Sequence, residues 1–266
     1  KNMQFVFLLL LINGLINIFV QMKKICSDFT YLNIIFTSIA IIVISTYLLN
    51  GSFEIPKDNE IDKTTAYMYP FILSVMLVLL YIIIKNIKKY KKLLITVLFY
   101  TSITTSLCLL FNQQKSIVVT LLFLWLLFDF NTPNKYNDIK MYINNIIAIL
   151  VSIASIVSIN ITTFKTGLIL LTGLFIFDIF WVFGSKYITN ESVMVEVATN
   201  IDAPILLKYI NNEKEGGLMV LGLGDIIIPA LFIKMLFNLN VDKIYYGLSC
   251  VSYIVGLYGA LYASIV

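Results

Sequence analysis

Histidine and arginine are absent from this chain of 266 residues, and only 13% of its residues are charged. Without an imidazole the chain cannot form a His-Glu-x-x-His metal site, a Ser-His pair or a Cys-His pair. The cysteines Cys26, Cys108 and Cys250 are scattered, which indicates neither a disulfide framework nor a metal cluster. Any catalysis must therefore use carboxylate, lysine or tyrosine chemistry, and we expect no metal and no organic cofactor.

The scarcity of charge accompanies long apolar runs. Hydrophobic residues make up 59% of the chain and the mean hydropathy is +0.91, whereas soluble domains carry about 25% charged residues. The runs lack the alternation of a membrane barrel and approach the length that crosses a bilayer as helix. They cover residues 3–20, 31–49, 67–84, 93–111, 116–129, 143–163, 167–183, 217–237 and 245–265. The sequence predicts an all-α, polytopic membrane helix bundle surrounded by the lipid bilayer, with no nucleic-acid partner.

No repeat or low-complexity linker divides the chain, so residues 1–266 are predicted to form a single membrane-embedded domain. Residues 1–24 fit either a signal sequence or an extra span. The lysine cluster at residues 85–92 predicts a cytosolic loop by the positive-inside rule. If every run spans, the loop at residues 185–216 lies on the same side of the membrane.

Two lone aspartates lie in apolar runs. Asp178 is the only carboxylate between Leu171 and Gly184, and Asp225 directly follows a Gly-Leu-Gly sequence. An ionisable group at membrane depth costs roughly 2.5 to 3.5 kcal/mol on insertion scales, so it usually marks a function. The glycines beside Asp225 permit close approach of another backbone and a local departure from helix. Pro229 lacks the amide that would bond the Asp225 carbonyl in a helix.

The two aspartates are predicted to lie at the same depth. Asp178 precedes Lys186 by eight residues and Asp225 follows Glu215 by ten, so each lies roughly 12 to 15 Å from the same face if both segments are helical. Two carboxylates in contact hold one proton between them, as an aspartic protease requires. The same pair would equally suit a cation or proton site in a transporter or channel, or a structural polar contact.

Other polar and aromatic residues have simpler interpretations. Residues 192–197 alternate in polarity and predict a short strand or interfacial segment, with an ordinary loop as the alternative. Lys234 is predicted to snorkel to the membrane face opposite the loop at 185–216. Asn145 and Asn160 are predicted to bond neighbouring helices. Trp181 is expected to pack between helices rather than to contact a substrate.

Around the aspartates the sequence resembles the signal peptide peptidase family of intramembrane aspartyl proteases, which are relatives of presenilin. Phe177-Asp178 corresponds to the family's Tyr-Asp motif, and Gly222-Leu223-Gly224-Asp225 matches its Gly-x-Gly-Asp motif. The flanking segments are similar to signal peptide peptidase rather than to presenilin: Ile179 to Gly184, Ala203-Pro204-Ile205 and Ile226 to Pro229. Weaker similarity extends back to Tyr67-Met-Tyr-Pro70.

The resemblance implies an intramembrane endopeptidase whose catalytic dyad is Asp178 and Asp225. It also implies substrate contacts by Phe177, Gly222, Leu223 and Gly224. The expected substrates are transmembrane helices or signal-peptide remnants in the endoplasmic reticulum membrane, and homo-oligomerisation is left open. The family's orientation would place the loop at 185–216 in the lumen, opposite to the lysine count, so the orientation stays undecided.

Two features depart from the family pattern. Phe177 replaces the usual tyrosine and so lacks its hydroxyl, although activity is expected to survive because the carboxylate is kept. The family's Pro-Ala-Leu motif belongs at the start of a last span, whereas Pro229-Ala230-Leu231 closely follows Asp225 and is not assigned that role. We therefore expect one more span after Val266. A protein without that span would be a catalytically impaired homologue.

Overall fold

The computed structural model describes residues 30–48, 60–86, 91–110, 137–200, 205–211, 217–239 and 241–263. The helices are α1 (Thr30–Val43), α2 (Lys63–Asn86), α3 (Lys91–Leu110), α4 (Asn137–Ser158), α5 (Phe164–Ile179), α6 (Ser185–Thr189), α7 (Val193–Asn200), α8 (Gly224–Asn238) and α9 (Lys243–Ala263). The strands are β1 (Glu60–Ile61), β2 (Asn160–Ile161), β3 (Leu206–Asn211) and β4 (Gly217–Gly222). Turns of π-helix follow α1 at Ile44–Leu48 and α5 at Phe180–Gly184.

Four helices among the described residues are long and apolar enough to cross a membrane. They are Lys63–Asn86, Lys140–Ser158, Phe164–Thr189 and Lys243–Leu261. The third is α5 continued through the π turn into α6. The prediction of an all-α, polytopic membrane protein is confirmed, while the predicted runs at 3–20 and 116–129 lie outside the described residues.

Helix α4 lies at the centre of the bundle. In the most apolar stretch of α4, 67% of the residues are buried inside the protein, whereas in the corresponding stretch of α2 only 6% are buried. Its side chains Ile153 and Ile156 pack in a cluster that includes Ile34 of α1, Leu170 of α5 and Ile226 of α8. The outer face of α2 carries exposed apolar side chains, as suits a helix with hydrocarbon around it.

Helices α5 and α8 pack closely near the start of α5. A Cβ placed on Gly167 would lie 2.9 Å from Cδ2 of Phe232 and 3.1 Å from Sδ of Met235. The rings of Phe164 and Phe232 lie 5.7 Å apart between centroids. This contact joins the first turns of α5 to the second half of α8, and so fixes the axial register between the two helices.

A β-hairpin precedes α8 where the sequence predicted a continuous apolar run over 217–237. Strand β4 pairs antiparallel with β3, from Leu206 opposite Gly222 to Asn211 opposite Gly217. The helix begins only at Gly224. The prediction was wrong for the first part of this run because a short buried strand and a buried helix have the same apolar composition. Cross-strand pairing satisfies the backbone groups of β4 that face β3.

Asn145 of α4 attaches the hairpin to the helical core. Its Nδ2 donates to the carbonyl oxygen of Lys208 at 2.7 Å, and its Oδ1 accepts from the Lys208 N–H at 2.9 Å. Tyr209 adds a hydrogen bond of 2.6 Å between its hydroxyl and that of Thr37 in α1. Burial raises the pKa of the Tyr209 hydroxyl, which keeps the group protonated and able to make this bond.

Residues 193–197 are helical, so the strand and the loop considered for 192–197 are both wrong. Helix α7 buries Val193 and Val197 against Ile84 of α2 and Ile95 of α3. Both valines lie on the same side of α7 because residues four apart share one face of a helix. The carboxylate of Glu196 interacts electrostatically with Lys85 at the end of α2. The lysine-rich end of α2 and the segment after α6 therefore lie at the same end of the bundle.

Predictions for the remaining polar residues have mixed outcomes. Trp181 packs between helices as predicted, since its indole Nε1 donates to Oγ of Ser74 at 2.9 Å. Asn145 bonds a strand instead of a helix, and Oδ1 of Asn160 is buried without a partner among the described residues. Lys234 does not snorkel: it is 2% exposed and bonds the end of α4, because backbone carbonyls there offer acceptors inside the protein.

Candidate active site

Asp178 lies in the last turn of α5, directly before the π turn at Phe180–Gly184. Single π turns inside helices are rare and often occur at functional sites. The surrounding side chains Ile176, Ile179 and Phe180 are exposed, and Asp178 is exposed as well among the described residues. The carboxylate thus sits on an open, otherwise apolar surface of the helix.

Asp225 lies in the first turn of α8, one residue after Gly224. Leu223 links strand to helix: its N–H donates to the Ile205 carbonyl at 3.1 Å, and its own carbonyl accepts from Ile227 at 2.8 Å. A Cβ on Gly222 would lie 3.2 Å from Oδ2 of Asp225, whereas a Cβ on Gly224 would meet nothing within 4 Å. The carboxylate therefore folds back over the end of β4, where the backbone amide of Gly222 bonds it.

The structure places the two aspartates within range of an electrostatic interaction. The register of α5 and α8 explains why. Asp178 lies eleven residues after Gly167, about 16 Å along α5, and Asp225 lies seven residues before Phe232, about 10 Å along α8. Because the helices are antiparallel, both carboxylates lie within about one helical turn of the same level.

The sequence predicted that Asp178 and Asp225 lie at the same depth, but one assumption behind that prediction is wrong. It assumed helix between Glu215 and Asp225, whereas residues 217–222 form β4, and a strand advances about 3.3 Å per residue instead of 1.5 Å. The packing of α5 on α8 sets the level of Asp225, and the distance from the loop does not.

Phe177 is half-buried beside Asp178 and packs against Trp181, with 6.4 Å between ring centroids. Phe180 contacts the same indole edge-on at 5.1 Å. Ser74 of α2 accepts the indole hydrogen bond and donates its own hydroxyl to the Pro70 carbonyl at 2.7 Å. An aromatic cluster anchored on α2 thus fixes the helix turn that carries Asp178.

The outer edge of β4 runs toward Asp225. Both backbone groups of Lys208 bond Asn145, so Lys208 and its partner Val220 form a pair that is not hydrogen-bonded to each other. The N–H and C=O of Val220 therefore point away from β3, and those of Leu218 and Gly222 follow by alternation. Among the described residues, no backbone hydrogen bond outside the hairpin reaches Val220.

Sequence reasoning did not find Tyr253 of α9. Its hydroxyl is buried, faces the hydroxyl of Ser38 in α1, and lies close enough to Asp225 for an electrostatic interaction. No short motif marks this tyrosine, because it reaches the site from a separate helix. Within the described ranges, no three His, Cys, Asp or Glu side chains are grouped closely enough to hold a metal ion.

The fold and site define a polytopic helical membrane protein in which two aspartates from antiparallel helices lie within electrostatic range of each other beside a β-hairpin. Residues 109–266 match the family model described as signal peptide peptidase. The chain belongs to the signal peptide peptidase family, and the resemblance inferred from the motifs is confirmed.

Individual relatives agree with the family match. Intramembrane protease 2 of Caenorhabditis elegans is 46% identical over 99 residues, which are 35% of this chain and 20% of the relative. Signal peptide peptidase of Mus musculus is 40% identical over 124 residues, 43% of this chain and 31% of the relative. A probable intramembrane protease of Schizosaccharomyces pombe is 31% identical over 195 residues, which are 70% of this chain and 61% of the relative. The matched part thus spans less than two thirds of each of these relatives. No solved structure matches the chain.

Proposed function

We propose that the protein is an intramembrane aspartyl endopeptidase, with Asp178 and Asp225 as the catalytic dyad. The observation that carries the proposal is the electrostatic interaction between these carboxylates, which project from two antiparallel helices. Two adjacent carboxylates do not both ionise readily, so one proton is shared between them. That state supplies a general base and a general acid at one point.

In the proposed reaction the ionised carboxylate removes a proton from a water molecule, whose oxygen attacks the carbonyl carbon of the scissile peptide. The protonated carboxylic acid donates to the carbonyl oxygen as the tetrahedral intermediate forms. The intermediate collapses with cleavage of the C–N bond, and a proton passes from the dyad to the leaving nitrogen. The products are a new carboxyl terminus and a new amine, and no cofactor takes part.

The substrate is proposed to add a strand to the outer edge of β4. This edge presents the backbone groups of Val220 close to Asp225, and extended peptides commonly bind exposed sheet edges. Gly222, Leu223 and Gly224 would lie along the substrate backbone, and the open space beside Gly224 leaves room for it. Phe177 would contact the substrate side chains next to the scissile bond.

The proposed substrates are transmembrane segments, including signal-peptide remnants, in the endoplasmic reticulum membrane. The support is the family membership of the chain and the names of relatives such as mouse signal peptide peptidase. A helix must unwind to pair with β4, so segments with small or helix-breaking residues are the expected targets.

The experiment compares cleavage with ion flux. The complete protein and its Asp178→Asn and Asp225→Asn variants are placed in vesicles with a reporter that contains a cleavable transmembrane segment. We expect cleavage by the parent protein only, and equal ion permeability in all three samples. An intact reporter, together with ion flux that either substitution changes, would favour a transporter or channel. An intact reporter without flux would indicate an impaired homologue.

A further inference from the structure

Lys234 is a buried lysine on the same helix as Asp225. Its Nζ donates to the carbonyl oxygens of Ile156 at 2.8 Å, Val157 at 2.9 Å and Ile159 at 2.9 Å. An ammonium group has three protons, so this arrangement uses every donor that it has. All three acceptors are backbone carbonyls, and the side chain is only 2% exposed.

The acceptors lie at the end of α4, whose last residue is Ser158. The final carbonyls of a helix have no partner within the helix and carry the negative end of its dipole. A lysine that bonds such carbonyls caps the helix. Here the capping cation comes from a different helix, so the cap also ties α8 to the central helix of the bundle.

Helix α8 is held mainly through its second half. Its first turn follows a strand directly, has no side-chain cap at Leu223, and carries Asp225. Pro229 removes the amide that would bond the Asp225 carbonyl. In contrast, the consecutive residues Ile233 to Leu236 are all buried. The first half also buries Ile226, but the longest continuous buried segment is at the Lys234 end, where Phe232 and Met235 also meet α5, so this end contributes to the level of Asp225 along the helix axis.

We propose that Lys234 is a positioning residue that holds α8 at the axial level where Asp225 meets Asp178. The contacts of Phe232 and Met235 set the register of α8 against α5, and the three hydrogen bonds of Lys234 tie α8 to the end of α4. Removal of the ammonium group breaks this second tie, so that α8 can shift along its axis. A displacement of about 1 Å at a catalytic group is enough to lower a rate about a hundredfold. The effect on cleavage rests on the proposed function, but the effect on the distance between the aspartate positions does not.

Disulfide formation between cysteines at the two aspartate positions measures this distance directly. Asp178→Cys and Asp225→Cys are combined in the complete protein, with Cys26, Cys108 and Cys250 changed to serine. Lys234→Met, which keeps the length and removes the charge, is compared with Lys165→Met, which removes an exposed lysine near the start of α5. Lys208→Cys with Val220→Cys, a pair across the hairpin, reports in a parallel sample whether the fold is retained.

We expect Lys234→Met to slow cross-linking between positions 178 and 225 about tenfold or more, while the hairpin pair cross-links normally and Lys165→Met changes neither. In the protein with both aspartates, Lys234→Met should lower kcat about a hundredfold with little change in KM, and Lys234→Arg should restore part of it. Unchanged cross-linking at 178 and 225 in Lys234→Met would overturn the proposal.

Two outcomes separate this proposal from the proposed function. If cross-linking depends on Lys234 but the parent protein cleaves no reporter, the positioning role stands and the protease assignment fails. If Lys234→Met disrupts the hairpin cross-link as well, Lys234→Gln, which retains a donor, replaces it. Slow cross-linking between positions 178 and 225 in Lys234→Gln, with the hairpin intact, supports the positioning role of the ammonium group. Normal cross-linking between these positions, with the hairpin intact, would overturn it. Loss of the hairpin in both variants would mean that Lys234 supports the whole fold, and would overturn a specific role in positioning.

Discussion

The side chain of Asn145 replaces a third strand beside the hairpin. Its amide bonds both backbone groups of Lys208, at 2.7 and 2.9 Å, as the backbone of a paired strand would. One edge of the two-stranded sheet is therefore occupied by α4, which leaves the edge of β4 next to Asp225 as the edge where we propose that a substrate binds.

Replacing Asn145 with alanine should destabilise the protein. Asn145 is 1% exposed, and its removal leaves the N–H and C=O of Lys208 without these partners, at a cost of about 1 to 3 kcal/mol for each buried group. Thermal unfolding in detergent should show a lower Tm. A Tm for Asn145→Ala equal to that of the parent would show that the two hydrogen bonds between Asn145 and Lys208 contribute no stability.

Proline at position 220 should impair cleavage without unfolding the hairpin. The Val220 N–H points away from β3, so proline removes a donor to the substrate strand but none to β3, and edge strands tolerate proline. The reporter assay should show a higher KM or a lower kcat than for Val220→Ala. Met219→Pro, which removes a bond within the hairpin, should lower the Tm as well. Full activity of Val220→Pro would exclude strand addition at this edge.

Adding a methyl group at Gly222 should displace the Asp225 carboxylate. The new Cβ would lie 3.2 Å from Oδ2, closer than ordinary contacts, so the carboxylate must move. We expect a kcat lowered by one to two orders of magnitude, since small displacements of catalytic groups cost that much. Gly256→Ala is the matched control, because its Cβ meets nothing within 4 Å. Equal rates for both variants would contradict the contact.

Gly167→Ala should separate α5 from α8. The added Cβ would lie 2.9 Å from the Phe232 ring, so the ring or the helices must shift, and overpacking of this kind costs roughly 1 to 3 kcal/mol. At Gly247, where the Cβ meets nothing within 4 Å, alanine should instead raise the stability slightly through its better helix propensity. Thermal unfolding of the two variants should show opposite changes in Tm. A stabilised Gly167→Ala protein would mean that the packing there is loose.

The sequence allowed the membrane class, the helical fold and the pairing of Asp178 with Asp225 to be predicted, because a charge in an apolar run is costly and conspicuous. The hairpin escaped prediction, since the apolar residues of 217–222 give no sign of their distant pairing with β3. Lys234 was misplaced for a similar reason: its carbonyl partners lie more than seventy residues away. Tyr253 was missed because only tertiary structure brings it near Asp225.

The most direct test of the central claim is a double-mutant measurement on the two aspartates. Cleavage of the transmembrane reporter by the complete protein is compared with cleavage by Asp178→Asn, Asp225→Asn and the double variant. If the carboxylates act as one unit, each single change should lower kcat about a thousandfold or more, and the double change should lower it no further than the more damaging single change. Multiplicative losses, or substantial cleavage by either single variant, would contradict a shared dyad.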